Sequence, residues 1–305
     1  MRWQTKVEIA PLKKKILYSD KIFFMGSCFA SEIGAQMRDL RFDVLVNPFG
    51  VMFNPASVAL SLERLDSCTL FVEKDILKVG DMFKSFYHGS EFAWESKGEF
   101  LKSNNEILKS SAKHFHSCNQ VVITLGTSWI FKEKASRQVV SNCHKLAASN
   151  FERVSLSSEE SAELLYRFIE KYKDKQWILT VSPVRHLKDG AHGNQLSKSK
   201  LLLAADLLVN SLPNVSYFPA YELFMDELRD YRFYASDMVH PSAQALKYVW
   251  ERFREFAIDT LCDNKIKMVD SLNQMRRHRP LFRGSKDYKE LLNKIEQLEE
   301  KLSKL

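Results

Sequence analysis

Short apolar runs alternate along this chain with longer segments in which apolar and polar residues recur at helical spacing. The apolar runs, bounded by Gly, Pro or polar residues, lie at 22–25, 42–46, 120–125, 176–181 and 215–218. The periodic segments lie at 31–40, 56–65, 107–116, 151–172, 200–209, 221–228 and 243–261. Within 151–172 the helix is expected to start at Ser157. Buried strands that alternate with amphipathic helices predict a parallel sheet covered by helices on both faces.

Two regions depart from this alternation. Residues 69–103 are loosely patterned and rich in aromatic side chains, which indicates short strands or a lid-like insertion beside the core. Near the C-terminus, residues 276–280 form a basic link. A heptad series follows at Tyr288, Leu291, Ile295, Leu298, Leu302 and Leu305. That series predicts a helix that either forms a homodimer or docks onto the core. We therefore expect one domain over 1–264, followed over 265–305 by a basic linker and a heptad-patterned C-terminal helix.

Composition narrows the class of protein. The 305 residues are 45% hydrophobic and 27% charged, as in ordinary soluble domains, and no apolar run is long enough for a membrane span. The first twenty residues lack the apolar core of a signal peptide. Five scattered cysteines without a Cys-x-x-Cys pair indicate neither a disulfide framework nor a metal site, so a reducing, cytoplasmic setting is expected. Residues 272–305 carry +4 of the net charge of +7, which disfavours a nucleic-acid partner for the main body.

The first strand is followed directly by two small polar residues, Ser27 and Cys28, and then by a helix. These residues should lie at the carboxyl end of a strand and the amino end of a helix. Open α/β folds bind ligands there, and a helix N-terminus stabilises negative charge, including that of a thiolate. The segment is either an ordinary tight turn or the centre of an active site.

A second chemical signal lies at the far end of the same alternating series. Asp237 and His240 are separated by two residues, in the loop that precedes the last helix of the core. A carboxylate and an imidazole at this spacing can reach one pocket, the carboxylate bonding one ring nitrogen while the other faces a nucleophile. The pair has the orienting residue and the base of a hydrolytic triad.

Several motifs together resemble the GSCFA domain family over about residues 3–260. They are Gly-Ser-Cys-Phe-Ala at 26–30, Asn-Pro-Phe-Gly-Val-Met-Phe-Asn-Pro at 47–55, Thr-Leu-Gly-Thr at 124–127, Asn-Cys-His-Lys at 142–145, Ser-Pro-Val-Arg-His at 182–186 and Asp-Met-Val-His-Pro at 237–241. That family is grouped with the SGNH (GDSL-like) hydrolases. The resemblance implies a three-layer, flavodoxin-like α/β/α fold and esterase or acyltransferase chemistry without a metal or cofactor.

The resemblance also implies roles for individual residues. SGNH enzymes follow the first strand with Gly-Asp-Ser, so Cys28 takes the place of the nucleophilic serine and Ser27 is the rival nucleophile. His240 would act as the base and Asp237 would orient it. We expect the helix N-terminus and a nearby histidine to lower the pKa of the thiol, which would make it a strong nucleophile.

The donors that would stabilise an oxyanion are less complete. By resemblance, Gly50 is the match for the glycine that supplies a backbone N–H in the second block. In the third block Gly126 is present, but Ser128 stands where these enzymes have an oxyanion-binding asparagine. Asn54 or Asn142 could replace that asparagine from elsewhere in the chain.

The loop after the third central strand adds Arg185 and His186, which either bind an anionic group of the substrate or belong to a solvated loop. We expect His144, beside Cys143, to line a pocket wall rather than hold a metal. The sequence thus predicts an acyl hydrolase or acyltransferase for an O-acylated substrate, such as a carbohydrate ester. The alternative is a ligand-binding module that kept the pocket and lost catalysis.

Overall fold

The structure is a computed structural model and describes residues 5–280, 282 and 284–304. In chain order the strands are β1 (Lys21–Gly26), β2 (Asp43–Val46), β3 (Leu77–Val79), β4 (Met82–Lys84), β5 (Gln120–Leu125), β6 (Trp129–Glu133), β7 (Val139–Val140), β8 (Phe151–Ser155), β9 (Gln176–Val181) and β10 (Val215–Tyr217). The α-helices are α1 (Cys28–Asp39), α2 (Pro55–Ser67), α3 (Lys97–Ser117), α4 (Ser158–Lys171), α5 (Gly190–Ser211), α6 (Ala220–Glu222), α7 (Ala243–Ala257), α8 (Asp263–Arg277) and α9 (Lys286–Ser303).

A parallel sheet with the order β2–β1–β5–β9–β10 forms the centre of the molecule. This is the strand order of flavodoxin-like folds, in which the chain changes direction across the sheet between the first strand and its inner neighbour. All five strands that the sequence predicted for this sheet are present. The predicted α/β/α fold is confirmed.

Side chains alternate between the two faces of the sheet, as the two-residue period of a strand requires. Phe23 and Met25 of β1 pack in one core with α2, α3, α4 and α5. Ile22 and Phe24 point to the other face and pack in a second core with α1, α7 and α8. Because both faces are buried, the strands read as continuous apolar runs.

The connections between the strands of the central sheet carry further elements, some of which differ from the prediction. The loosely patterned region contains the hairpin β3–β4 and the first two turns of α3, which is longer than the predicted helix over 107–116. An antiparallel sheet of order β7–β6–β8 follows β5 and was not predicted. Residues 190–199, predicted as loop, form the first half of α5. The predicted helix over 221–228 is α6 followed by π-helical residues Leu223–Glu227.

The C-terminal extension packs on the α1–α7 face of the sheet. Residues 265–277, predicted as the start of the basic linker, belong to α8, and Ile266, Val269 and Leu272 of this helix are buried in the second core. Ile295, Leu298 and Leu302 of α9 pack against the same core, so these heptad positions contact their own chain; Leu305 lies outside the described residues. A homodimer through α9 stays a prediction. Within the described part of the chain, the helices lack the combination of length and apolarity that crossing a membrane requires.

Candidate functional site

The turn between β1 and α1 depends on a glycine. Gly26 has a φ of 140°, and a Cβ there would overlap the carbonyl oxygen of Thr124 on the neighbouring strand β5. The side chain of Asn47 accepts the N–H of Gly26 at 2.8 Å, and the N–H of Ser27 donates to Thr124 at 3.0 Å. The end of β1 therefore lies in close backbone contact with β5, at the point where the sheet order changes direction.

Ser27 occupies the N-cap position of α1, but its side chain does not cap the helix. Its side chain is buried, and the Oγ atom has no hydrogen-bond partner among the described residues. The N–H groups of Cys28 and Phe29 also find no acceptor in that part of the chain. The start of α1 thus presents unpaired donors, which favour negative charge.

Cys28, the first residue of α1, is half-buried, and its thiol is not a preformed thiolate. Burial raises its pKa, and the carboxylates of Glu32 and Glu91 raise it further, whereas its own backbone N–H acts in the opposite direction. The expectation that the helix terminus and a histidine would lower this pKa was wrong, because desolvation outweighs the helix. At neutral pH the group is a thiol.

Asp237 and His240 form the pair that their spacing predicted. Asp237 Oδ2 lies 2.6 Å from Nδ1 of His240, and Asp237 Oδ1 accepts the backbone N–H groups of His240 and Val239. These hydrogen bonds, first that from the His240 backbone, lower the pKa of Asp237 to about 2. Because Nδ1 donates to this ionised carboxylate, Nε2 is the ring nitrogen left to act as a base. Both side chains are about half exposed.

The loop that holds this pair is attached to the loop after β9. The N–H of Arg185 donates to the carbonyl of Val239 at 3.2 Å, and its guanidinium donates to that of Met238 at 3.3 Å. The pair therefore lies at the carboxyl edge of the sheet. His240 makes no hydrogen bond to Ser27 or Cys28 in the structure as described, so the triad is not closed.

His186 approaches the β1 turn more closely than its loop position suggested. A Cβ on Gly126 would stand 3.4 Å from Nε2 of His186 and 3.5 Å from Cβ of Ser27. A Cβ at Gly126 would therefore be in van der Waals contact with both residues. Nε2 of His186 is buried without a partner. Burial, and then the charge of Lys198, lowers the His186 pKa to about 4, so the imidazole is neutral at physiological pH.

Lys198 is a site residue that the sequence analysis missed. Its ammonium is completely buried and donates to the carbonyls of Gly126 at 2.7 Å and Ser182 at 2.6 Å. These carbonyls directly follow β5 and β9, so one side chain joins the ends of two neighbouring strands. Burial lowers the pKa of Lys198 to about 7. The only sequence signal was a lysine in a segment that otherwise reads as loop.

The glycine N–H groups expected to bind an oxyanion are already occupied. The N–H of Gly50 donates to the carbonyl of Asn47 at 2.9 Å, and that of Gly126 donates to Phe53 at 2.8 Å. Ser128 is fully buried, and its hydroxyl bonds the hydroxyls of Ser197 and Ser155, both at 3.2 Å. None of these three groups is available as an oxyanion donor in this conformation.

Asn54 is the better placed of the two substitute amides. Its Oδ1 caps α2 by accepting the N–H of Ser57 at 2.8 Å. Its Nδ2 has no acceptor in the described structure, and Phe53 beside it binds Gly126. Asn142 instead uses both ends of its amide, donating to Ser90 at 2.9 Å and accepting from the N–H of His144 at 2.8 Å.

The imidazole of His144 is hydrogen-bonded within the protein. Nε2 of His144 lies 2.7 Å from the carbonyl of Ser85, to which it donates, and burial lowers the pKa of the imidazole. Cys143 is half-buried, and burial raises its pKa. Among the residues described, no group of three or more His, Cys, Asp or Glu side chains is arranged to hold a metal ion.

Fold and site together define a flavodoxin-like α/β/α protein with its candidate catalytic groups at the carboxyl edge of the sheet. Residues 21–253 match the model of the GSCFA family, and the chain belongs to that family. No curated protein matches the chain. Among solved structures, CetZ from Methanosaeta thermophila strain DSM 6194 is 10% identical with a TM-score of 0.30. That match covers 86% of this chain and 56% of that one, and a likeness this low carries no conclusion.

Proposed function

We propose that this protein is an SGNH-like acyl hydrolase or acyltransferase that acts on an O-acylated substrate, which could be a carbohydrate ester. The observation that carries the proposal is the Asp237–His240 pair, in which the carboxylate holds Nδ1 at 2.6 Å and leaves Nε2 free. It lies at the same edge of the sheet as the unpaired N-terminus of α1 with Ser27 and Cys28. This arrangement supplies a base, an orienting carboxylate and a nucleophile.

In the proposed reaction, Nε2 of His240 removes the proton of the Cys28 thiol while the sulfur attacks the ester carbonyl carbon. The carbonyl electron pair moves to oxygen, and its return expels the alkoxide, which takes the proton from His240. The product is a thioester on Cys28. Water or a second alcohol, deprotonated by His240, then attacks the thioester. The C–S bond breaks, the acid or a new ester is released, and the Cys28 thiolate takes the proton back from His240.

The raised pKa of Cys28 decides how this step would begin. A thiolate–imidazolium pair is not the resting state, so proton removal has to accompany attack, as in serine hydrolases. The half-exposed His240 side chain also has to approach Cys28, since no hydrogen bond joins the two residues in the described structure. Catalytic contacts are commonly long in ligand-free proteins and tighten when substrate binds.

In the proposed reaction, the N–H of Cys28 and Nδ2 of Asn54 donate to the oxyanion. Both are free donors, whereas the N–H groups of Gly50 and Gly126 are occupied. Removing one such donor typically costs about 2.7–4 kcal/mol of transition-state stabilisation. Asn54→Ala should therefore lower turnover by about two orders of magnitude. Because Asn54 also caps α2, Asn54→Asp serves as the companion variant, since it keeps the cap and removes the N–H donor.

Labelling with an activated acyl ester, followed by intact mass, tests the covalent step. We expect one acyl group on wild type, none on Cys28→Ala, and much slower labelling on His240→Gln. Ser27→Ala should label like wild type if Cys28 is the nucleophile, and should fail to label if Ser27 is. Equal labelling of wild type, Cys28→Ala and Ser27→Ala would contradict covalent catalysis and favour the ligand-binding module.

The cysteines bear on where in the cell the protein works, and the site residues bear on whether it needs a dimer. All five cysteines are unpaired, which suits the reducing interior of a cell, and we propose a cytoplasmic location. A homodimer through α9 is not required for the reaction, because every residue invoked comes from one chain.

A further inference from the structure

A separate cavity lies beside the Asp237–His240 loop. It has a volume of about 300 Å³ and is bounded by the loop after β9, the start of α5 and the π-helical residues Leu223–Glu227. Single π-helical turns are rare and frequently mark functional sites. Its lining is mostly apolar and aromatic, with Leu187, Ala191, Tyr221, Phe224, Leu228 and Tyr234 forming much of the wall.

The polar groups of this cavity are mainly donors, because two of its acceptors are already used. Oδ1 of Asn194 accepts the N–H of His186 at 2.9 Å, which leaves Nδ2 toward the cavity. The amide oxygen of Gln195 accepts the hydroxyl of Tyr221, which leaves its NH₂ free. A wall that presents N–H groups favours a ligand that carries hydrogen-bond acceptors.

The charge of the cavity is also unbalanced. Arg185 lies in its wall, donates to the carbonyl of Met238 at 3.3 Å and stacks on Tyr234 at 5.4 Å, but forms no ion pair with any described carboxylate. The other charged side chains of the lining are paired: Arg229 contacts Asp226, and Asp230 contacts Arg232. An anion bound beside Arg185 would therefore meet an uncompensated cation.

We propose that this cavity binds an aromatic carboxylate, its ring against Tyr221, Phe224 and Tyr234 and its carboxylate on Arg185 and Asn194. The apolar wall favours a ring over a sugar, because sugar hydroxyls would lose hydrogen bonds there. Arg185 holds the His240 loop and Asn194 holds His186, so the cavity shares its edge with the candidate active site. The bound group is thus a part of the substrate, a conclusion that rests on the proposed function.

Titration calorimetry with 3-phenylpropionate tests the binding itself, without turnover. We expect wild type and Cys28→Ala to bind it equally, and Arg185→Met to bind about tenfold or more weakly, the effect of losing a charge-assisted hydrogen bond. Asn194→Asp, which replaces the free donor by a carboxylate oxygen, should abolish binding. Arg167→Met is the matched control, since Arg167 and its ion-pair partner Glu63 both lie outside the cavity wall, and it should bind like wild type.

Three ligand controls need no variant and so do not depend on folding. The uncharged 3-phenylpropanamide should bind about tenfold or more weakly than the acid, and inorganic phosphate and glucuronate should not compete. Equal binding of acid and amide, or equal binding by wild type and Arg185→Met, would overturn the proposal. Competition by glucuronate would overturn the aromatic carboxylate as the ligand and indicate an anionic sugar instead. If the protein binds 3-phenylpropionate but is not acylated, the proposed function is wrong and the cavity proposal stands. If it is acylated but does not bind 3-phenylpropionate, the cavity proposal is wrong and the proposed function stands.

Discussion

Lys198 donates from its fully buried ammonium to the carbonyl of Gly126, at 2.7 Å, one residue beyond the end of β5. The same ammonium reaches the carbonyl of Ser182 after β9, so the two strand ends on either side are held by one cation. Neither contact is with a carboxylate, and burial keeps the Lys198 pKa near 7. The candidate site is therefore built on a buried lysine that changes charge near neutral pH.

The first prediction concerns stability and pH. Lys198 loses its proton near pH 7 in the folded protein but near pH 10.4 when unfolded. Between these values the unfolded state binds more protons, so the free energy of unfolding should rise with pH across this window. Lys198→Met removes this contribution, and its stability should rise less from pH 7 to 9.5. Urea unfolding of both proteins at several pH values measures the difference.

Lys200→Met is the control for that experiment, because Lys200 lies on the same helix and is half-buried rather than enclosed. Its stability should follow the wild-type pH dependence. Lys198→Met should also be less stable at pH 9.5, since two carbonyls lose their donor at about 1–3 kcal/mol each. Parallel curves for wild type and Lys198→Met would show that the ammonium does not titrate in this range.

A second prediction concerns the gap at Gly126. A methyl group there would stand 3.1 Å from the carbonyl oxygen of Phe53 and would fill the space between Ser27 and His186. We expect Gly126→Ala to fold, because its backbone does not need a positive φ, but to lower acyl labelling about tenfold or more. Labelling rates and thermal unfolding of the same samples separate the two effects.

Gly98→Ala is the matched control, since Gly98 lies in the first turn of α3 with nothing near its added methyl group. It should keep wild-type labelling and gain up to about 1 kcal/mol of stability from better helix propensity. If Gly126→Ala labels as fast as Gly98→Ala, the space between Ser27 and His186 is not part of the site.

Much of the fold follows from apolar periodicity, and its failures have a physical cause. Phe23 and Phe24 fill opposite faces of the sheet, which makes β1 a continuous apolar run that is easily recognised. The first half of α5 was predicted as a loop because Asn194 and Lys198 are polar. Both are in fact buried against the strand ends, so the helix turns polar residues inward and loses its apolar stripe.

The same limit applies to the candidate site. The local spacing of Asp237 and His240 was sufficient to predict their hydrogen bond, which one loop determines. The pKa of Cys28 was predicted in the wrong direction, because burial and the approach of Glu91 depend on distant parts of the chain. The occupied N–H of Gly50 likewise depends on how its own turn closes, which the motif does not specify.

A third prediction addresses the role of Asp237. Replacing it by asparagine keeps the shape but removes the charge that fixes the proton of His240 on Nδ1, so Nε2 no longer acts reliably as a base. Acyl labelling of Asp237→Asn should fall by about 100-fold or more. Asp206→Asn, which removes an exposed carboxylate on α5 outside the proposed triad and the cavity wall, is the control and should label normally. Labelling of Asp237→Asn at the wild-type rate would remove Asp237 from the mechanism.

A fourth prediction tests whether α9 belongs to the core. Leu302 is buried on the second core, whereas Leu292 on the same helix is 45% exposed. Leu302→Ala should lower the free energy of unfolding by about 2 kcal/mol or more, and Leu292→Ala should change it little. Chemical denaturation measures both. If α9 instead serves mainly to pair two chains, wild type should sediment as a dimer, and Leu302→Ala should weaken the dimer rather than the fold of the single chain.

The last prediction concerns His88, which is fully buried among Phe49, Phe71, Phe92 and Phe100, with no partner for either ring nitrogen in the described structure. Burial, and then the charge of Arg64, lowers its pKa to about 3. Between pH 3 and 6.5 the unfolded state binds more protons, so the free energy of unfolding should fall as the pH falls through this range. His88→Leu should flatten that fall and should not destabilise the protein at pH 7, because it removes two unsatisfied polar atoms. Urea unfolding from pH 4 to 7 checks both, with the exposed His278→Leu as control; a steeper acid loss in His88→Leu would show that the imidazole has a partner in solution.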